Sequence, residues 1–356
     1  MIESIKFEYT NKDKWDSIVA SFPNHDVYYM HGYVAAFKIH GDGEPLLLYY
    51  DDGAMRGIYV AMLRDVAESQ HFKGLIPKGE LFDLISPYGY GGFIFDGEIN
   101  DCSMAQLSKE LQELMSKRNV VSCFTRFNPI LRNAELSRPF IDVVDLGKTI
   151  ALDLTDEKVI WDNIISKNRN MIRKAIKNGI EIHHTHERED LFETFREIYN
   201  ATMEHDNAEP YYYFKEDFYR SIHRDLSNNY ELFYATAGEE IVAMAIMIFA
   251  NGKMHYHLSG SKIEYRNLAP SNLLLYKAAL WGHGQGFSVF HLGGGVGSGE
   301  DNLYRFKATF NHNSDCRFSI GRQIFDQKQY EILVELRELQ DSKFDKSQSF
   351  FPLYRQ

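Results

Sequence analysis

The chain has 356 residues, of which 44% are hydrophobic and 25% charged, values typical of a globular protein with room for two domains of ordinary size. Its formal net charge of −11 excludes a general basic surface for non-specific nucleic-acid binding, although it leaves room for a local basic patch. Three scattered cysteines, Cys102, Cys123 and Cys316, form no CxxC motif and favour a reducing compartment.

Neither a signal peptide nor a membrane span is predicted. The first residues lack the apolar core of a signal peptide. The longest apolar run, Ile241 to Ala250, is far shorter than the ~20 residues that cross a bilayer. We therefore predict a soluble, cytoplasmic protein.

The first half of the chain predicts a set of strands with few helices. In chain order, the predicted elements are a strand (2–9), a helix capped by Asn11, a helix after Gly32, a hairpin with its turn at 51–53, a strand (82–86), a glycine-rich loop (87–92), a helix (101–117) and a strand (120–127).

The second half predicts the same order of elements after a mostly helical joining segment, 153–179. Its later elements are a histidine-containing strand (183–186), two helices (188–205 and 215–225), strands (231–237, 241–250 and 253–261), a helix from Pro270, a strand (287–292) and a last helix (327–339). The repeated order predicts two similar α/β units, 1–150 and 151–345, and we expect the tail, 346–356, to be loosely held.

The start of the helix at Pro270 is the first candidate site. Proline suits the first turn of a helix, and Ala269, which precedes it, is pushed out of helical geometry. A helix N-terminus offers unpaired N–H groups and a partial positive charge, so it suits a phosphate or another anion.

This stretch resembles the loop with which acyl-CoA N-acyltransferases of the GNAT superfamily hold the CoA pyrophosphate. Their loop reads Arg/Gln-x-x-Gly-x-Gly/Ala, and Arg266 to Ser271 is similar in its arginine and in the spacing of its small residues. Ala269 and Ser271 replace the two glycines. The resemblance implies a donor-binding site at Arg266, Ala269, Ser271 and Asn272.

The segment that follows resembles the C-terminal half of the Fem-type aminoacyl- and acyltransferases, which build peptidoglycan cross-bridges from two GNAT-like domains in tandem. The similar parts are a strand that ends in Leu292-Gly293-Gly294, a short polar loop, and the run Asp301-Asn-Leu-Tyr-Arg-Phe-Lys307. The stretch from Trp161 to Gly179 is similar to the start of the family's second domain. The resemblance covers most of the chain, thinly in the first 80 residues.

For the fold, the resemblance implies two mixed α/β GNAT-like domains with a ligand cleft between them. For the function, it implies an N-acyltransferase that moves an aminoacyl or acyl group onto an amine of a cell-envelope precursor or an amino sugar. The alternatives are an acyl-CoA-dependent acetyl- or acyltransferase acting on a small amine, and a non-catalytic GNAT-like binding protein.

The resemblance also implies which residues act. It places Lys307, of the Phe306-Lys307 pair, at the reacting carbonyl, where a fixed cation stabilises the oxyanion of acyl transfer. Gly293 and Gly294 are expected beside the donor. The acceptor is expected at residues with aromatic or basic side chains, for which a structural role is the alternative: Tyr88, Tyr90, Arg126, Arg169 and Tyr256.

Other site types find less support. The glycines between Gly293 and Gly299 do not fit a G-x-G-x-x-G frame, and Gly147-Lys148-Thr149 lacks the leading glycine of a P-loop. The histidines at 183, 184, 186, 255 and 257 have no cysteine or carboxylate at ligand spacing, so no metal is predicted.

We expect no tightly bound cofactor and no DNA partner. The donor is acyl-CoA or aminoacyl-tRNA. The second domain lacks the long coiled-coil arm that some tRNA-dependent members of the family carry, which leaves the donor open.

Overall fold

The computed structural model of this protein describes residues 2–3 and 12–356. The predicted strand at 2–9 is therefore described only at Ile2–Glu3, and the predicted cap at Asn11 lies outside the described residues. The chain divides into two compact units. Unit 1 contains Met1–Leu146 and Ser319–Gln356, and unit 2 contains Gly147–Phe318. The predicted domains, 1–150 and 151–345, have their boundary at residue 150 and include residues 319–345 in the second domain, whereas these residues belong to unit 1 here.

Strands dominate the chain up to residue 148. Its elements are β1 (Ile2–Glu3), α1 (Lys12–Ala20), α2 (His31–His40), β2 (Glu44–Asp51), β3 (Met55–Asp65), β4 (Phe82–Ile85), β5 (Ile94–Gly97), α3 (Asp101–Lys117), β6 (Val120–Arg126), α4 (Ala134–Ser137) and β7 (Asp142–Lys148).

Strands and longer helices alternate in unit 2. Its elements are β8 (Ile150–Asp153), α5 (Glu157–Asn163), α6 (Ser166–Lys177), β9 (Ile180–Thr185), α7 (Leu191–His205), α8 (Glu216–Asp225), β10 (Tyr230–Ala237), β11 (Glu240–Ala250), β12 (Lys253–Ser261), α9 (Pro270–Gly284), β13 (Val289–Gly293) and α10 (Asn302–Ala308). The chain then adds β14 (Arg317–Ile324) and α11 (Gln327–Gln340).

The predicted joining helix is wrong in one respect, because two helices, α5 and α6, replace it. Ile164 and Ile165 between them have extended backbones. The N–H of Ile165 donates to the carbonyl of Thr309 at 3.0 Å, and Ile164 is fully buried. A tertiary hydrogen bond and a buried side chain therefore override the helical periodicity at this point.

The two units repeat one strand order, as predicted. In unit 1, β2, β3 and β4 pair antiparallel, and β6, which follows α3, pairs parallel to β4. In unit 2, β10, β11 and β12 pair antiparallel, and β13, which follows α9, pairs parallel to β12. The mixed α/β fold with two similar units is confirmed.

Helix α9 packs into the core of unit 2. Its buried side chains include Leu273, Leu274 and Ala278, which join a cluster with Phe233 and Phe290 of the sheet. The sheet has the order β8-β13-β12-β11-β10-β9, so β12 and β13 are neighbours inside the sheet and β9 lies at one edge.

The end of the chain belongs to unit 1 and is firmly packed. Strand β14 lies between β6 and β7 in the order β1-β2-β3-β4-β6-β14-β7. Tyr354 is fully buried, and Arg355 pairs with the buried carboxylate of Asp83 at 2.7 Å, which Arg64 also contacts at 2.7 Å. Burial alone would raise the pKa of Asp83, but the two arginines hold it below its usual value. The prediction of a loosely held tail is therefore wrong for these last residues.

Candidate functional site

Strands β12 and β13 of unit 2 separate soon after they begin. Parallel pairing joins Lys253–His255 of β12 to Val289–His291 of β13. Within the described residues, no pairing of these two strands continues beyond that point. Because the strands are parallel, the ends that separate are both carboxyl ends, the edge at which α/β sheets bind ligands.

A bulge in β12 accompanies this separation. Leu258 is opposite Ile246 of β11, and Tyr256 is opposite the next residue, Met247, so that His257 has no opposite residue on β11. A bulge bends its strand and increases the local twist. The bulge therefore lies where β12 leaves its parallel neighbour.

The corresponding strands of unit 1 show no such opening. There the N–H of Ser86 donates to the carbonyl of Phe124 at 2.9 Å, and Gly91 donates to Arg126 at 2.7 Å. These bonds continue the pairing of β4 and β6 into the glycine-rich loop. Of the two repeated strand pairs, only that of unit 2 is open at its carboxyl end.

The loop after β13 holds the start of α10. Asp301 accepts hydrogen bonds from the N–H of Tyr304 at 2.8 Å and from the N–H of Val296 at 3.1 Å. It therefore both caps α10 and holds the preceding loop in place. A Cβ at Gly295 would lie 2.3 Å from the Asp301 carboxylate, and Gly293 has a φ of 79°. These glycines are therefore needed for the loop itself.

Lys307 of α10 is a buried lysine, only 8% exposed. Its Nζ donates to the carbonyl oxygen of Gly294 at 2.7 Å. Burial lowers the pKa of Lys307 from 10.5 to about 8, and the nearby Asp301 carboxylate opposes that effect. The neighbouring Phe306 ring packs edge-on against Phe310. Lys307 therefore places a fixed amine, still protonated at neutral pH, against the loop that follows β13.

Uncharged imidazoles lie on the strands next to this amine. Nε2 of His291 lies 2.9 Å from the hydroxyl of Thr149, and the His255 ring lies 5.7 Å from the His291 ring. The pKa of His291 lies well below its usual value, mainly because the ring is buried, and His255 and Lys307 lower it further. Burial, together with His255, lowers the pKa of His257 to about 3. These two rings stay neutral at physiological pH.

The predicted donor loop leads from the end of β12 to α9. A 3₁₀ turn, Ile263–Leu268, precedes Ala269, whose φ of 59° places it in the left-handed region, outside helical geometry as predicted. None of the described side chains caps α9. Arg266 is exposed, and its Nε contacts the hydroxyl of Ser261 at 3.4 Å. Pro270 has no N–H, and the N–H of Asn272 donates to the carbonyl of Ala269 at 3.2 Å, so the N–H of Ser271 is the donor that the first turn of α9 leaves for an anion.

Helix α6 is fastened to this turn. Nδ2 of Asn272 donates to Oδ1 of the buried Asn168 at 2.8 Å, so the Asn272 amide has a structural partner.

Two predicted acceptor residues lie in unit 2. The guanidinium of Arg169, on α6, lies 5.9 Å from the Trp161 ring. Tyr256 of β12 donates its hydroxyl to Ser259 at 2.5 Å.

Three predicted acceptor residues lie in unit 1. The Tyr88 ring stacks on Phe37, and Tyr90 packs edge-on against Tyr28. The guanidinium of Arg126 lies over the Phe124 ring at 5.2 Å. No carboxylate among the described residues forms an ion pair with Arg126, so the salt bridge that the sequence analysis considered as an alternative is absent there.

One further feature, a cavity, was not predicted. A cavity of about 400 Å³ lies at α7 and α8, and none of the predicted site residues lines it; its lining is Glu189, Asp190, Phe192, Glu193, Arg196, Glu216, Tyr219 and Arg220. The described residues contain no group of three or more potential metal ligands and no helix long and apolar enough to span a membrane.

Residues 166–308 match a family model described as an acetyltransferase (GNAT) domain. This segment is therefore a GNAT-like domain. It contains the open strand pair, the predicted donor loop and Lys307, and a GNAT fold supports an acyltransferase activity. Because unit 1 repeats the strand order of this domain, it is GNAT-like as well.

Solved structures share the fold of the whole chain at low sequence identity. FemX is 14% identical, with a TM-score of 0.65 over 93% of this chain and 99% of FemX. A conserved protein of unknown function from Bacteroides thetaiotaomicron is 12% identical, with a TM-score of 0.57 over 91% of this chain and 100% of its own. The C-terminal domain of a putative lysylphosphatidylglycerol synthetase from Agrobacterium fabrum is 12% identical, with a TM-score of 0.54 over 88% of this chain and 92% of its own.

No curated protein is significantly similar to the chain in sequence. The likeness to FemX supports the predicted Fem-type resemblance at the level of the fold.

Proposed function

We propose that this protein is an N-acyltransferase that moves an aminoacyl or acyl group onto an amine of a cell-envelope precursor or an amino sugar. The observation that carries the proposal is the buried amine of Lys307 beside the open carboxyl ends of β12 and β13. The predicted donor loop begins at the end of β12, and the loop that leads to α10 begins at the end of β13, so an acyl group held there would be near the amine.

Lys307 would act on the reacting carbonyl. Its ammonium group has three N–H donors, and the Gly294 carbonyl uses one of them. The others can bind the oxyanion that forms when the acceptor amine attacks the acyl carbon. Because the amine is buried and already fixed, it needs little reorganisation during the reaction. The bond from the acyl carbon to the sulfur or oxygen of the donor then breaks, the acceptor nitrogen loses a proton that goes to this leaving atom or to solvent, and the acyl group stays on the acceptor nitrogen.

The donor would be bound at the start of α9. The N–H of Ser271 in the first turn and the exposed guanidinium of Arg266 provide a hydrogen-bond donor and a positive charge for a phosphate. Both acyl-CoA and aminoacyl-tRNA carry phosphates that such a turn can bind. A CoA-dependent transferase acting on a small amine is therefore the second candidate, and the replacement of the loop glycines by Ala269 and Ser271 counts against it.

Ligand binding separates these proposals. Calorimetry with CoA thioesters, an aminoacyl-tRNA and UDP-linked muropeptides should show one donor class and one acceptor class that bind. Binding of a CoA thioester and a small amine, without the muropeptide, would favour the second candidate. If no donor binds, the transferase proposal is wrong. If ligands bind but no acyl transfer is detected, and Lys307→Met binds them as tightly as the wild type, the protein is a binding module. The cytoplasmic location stays a prediction.

A further inference from the structure

Two histidines lie side by side at the end of the edge strand of unit 2. Strand β9 is the last strand of its sheet; His184 belongs to it, His186 follows its last residue, Thr185, and both side chains contact Glu231 on one face of the sheet. His183 points to the opposite face, where its ring stacks on Tyr234 at 5.1 Å.

Both histidines contact one buried carboxylate. Glu231 of the neighbouring strand β10 has a side chain only 6% exposed. Nδ1 of His184 lies 2.7 Å from its Oε1, and Nδ1 of His186 lies 3.2 Å from its Oε2. The two oxygens of Glu231 thus each hold one imidazole, and the rings are fixed next to each other.

This contact determines which ring nitrogens face outward. An ionised carboxylate only accepts hydrogen bonds, so each Nδ1 carries the hydrogen and each Nε2 of a neutral ring keeps a lone pair. Nε2 is on the far side of the ring from Nδ1, away from Glu231. The side chains of His184 and His186 are 47% and 55% exposed, so both lone pairs can be reached from solvent.

The surroundings hold the rings in this orientation. The His184 ring stacks on Phe233 at 5.3 Å and lies 5.8 Å from the ring of Trp281. The hydroxyl of Tyr230 donates to the backbone carbonyl of His186 at 2.8 Å. Neither imidazole therefore has to be ordered from a freely rotating state when a ligand binds.

We propose that His184 and His186 bind a divalent transition-metal ion through their two Nε2 atoms, with Glu231 as the carboxylate that orients both rings. Imidazole nitrogen suits Zn²⁺, Ni²⁺ and Cu²⁺. A metal-bound histidine commonly donates its other ring N–H to a carboxylate, which fixes the tautomer and the ring direction. The described residues supply two ligands rather than three or four, so water completes the coordination and binding is weaker than at a closed structural zinc site.

Metal titration of the untagged full-length protein tests this proposal. Calorimetry with Zn²⁺, Ni²⁺ and Cu²⁺ should show one site, and His184→Ala or His186→Ala should each abolish it. Glu231→Gln keeps the shape but weakens the orienting contact, and should lower the affinity about 10- to 100-fold. His183→Ala, an equally exposed histidine on the other face of the same strand, is the matched control and should leave the affinity unchanged.

Fluorescence provides a second measurement. The chain has three tryptophans, and Trp281 adjoins His184, so bound Cu²⁺ should quench its emission. Trp281→Phe should remove that quenching. The proposal is wrong if the double variant His184→Ala/His186→Ala binds these ions as tightly as the wild type, or if His183→Ala weakens binding as much. Unchanged affinity in a folded Glu231→Gln variant would overturn the orienting role of the carboxylate.

Discussion

Replacement of Lys307 by methionine would separate catalysis from folding in this protein. Methionine has a similar length but neither a charge nor N–H donors. If the amine stabilises the oxyanion, kcat should fall about 100- to 1000-fold, as for the loss of one fixed oxyanion donor. Because the interaction is made only in the transition state, KM for donor and acceptor should stay nearly unchanged.

The expected change in stability is small because two effects oppose each other. Burial lowers the pKa of Lys307 from 10.5 to about 8, so the charged amine costs the folded state roughly 3 kcal/mol at neutral pH. Methionine removes that cost. It also leaves the Gly294 carbonyl without its hydrogen bond, a loss of roughly 1–3 kcal/mol. The free energy of unfolding should therefore stay the same or rise slightly.

Steady-state kinetics and denaturant unfolding of the same preparation measure both quantities. Lys277→Met is the matched control, because Lys277 is an exposed lysine on α9. That variant should change stability by no more than about 0.5 kcal/mol and leave kcat unchanged. A Lys307→Met enzyme that keeps the wild-type kcat would refute the role of the amine. A variant that loses several kcal/mol of stability would refute the balance of the two effects.

Three more predictions concern pH, the donor loop and the chain end. Between about pH 8 and 10.5, Lys307 keeps its proton in the unfolded chain but has lost it in the folded protein. The free energy of unfolding should therefore rise over this pH range, by roughly 3 kcal/mol more in the wild type than in Lys307→Met. Urea titration at each pH measures this difference. Arg266→Ala should raise KM for the donor more than it lowers kcat in steady-state assays, and an unchanged KM would show that Arg266 meets no donor phosphate. Arg355→Met should lower the melting temperature, since one charged hydrogen bond to buried Asp83 is worth roughly 1.5–3 kcal/mol; an unchanged value would show that Arg64 alone suffices.

Local sequence signals predicted much of unit 2 because they act over a few residues. Pro270 fixes the start of α9, and the restriction that a proline places on the preceding residue keeps Ala269 out of the helix. The alternation around β12 predicted a strand, yet it gave no sign of the bulge at His257. A bulge depends on the partner strand, so one strand alone does not reveal it.

Contacts between distant parts of the chain explain what the sequence analysis missed. Asp83 and Arg355 are 272 residues apart, and nothing near either one indicates the other. His184 and His186 have no acidic neighbour at ligand spacing, but strand pairing brings Glu231 to them from 47 and 45 residues away. The break between α5 and α6 similarly depends on Thr309, far along the chain. Periodicity describes how one segment folds, whereas these features depend on which segments meet.

The return of the chain to unit 1 reverses the usual order of events during synthesis. Domains generally fold from the N-terminus as they leave the ribosome. Strand β14 pairs with β6 but is made about 190 residues later, a delay of roughly 10 to 40 s at common translation rates. Unit 2 is one continuous stretch and is complete first. Until β14 arrives, β6 presents an unpaired edge, the kind of surface on which chains aggregate. A chain whose synthesis stops after unit 2 would thus have its second GNAT-like domain whole and its N-terminal sheet unfinished.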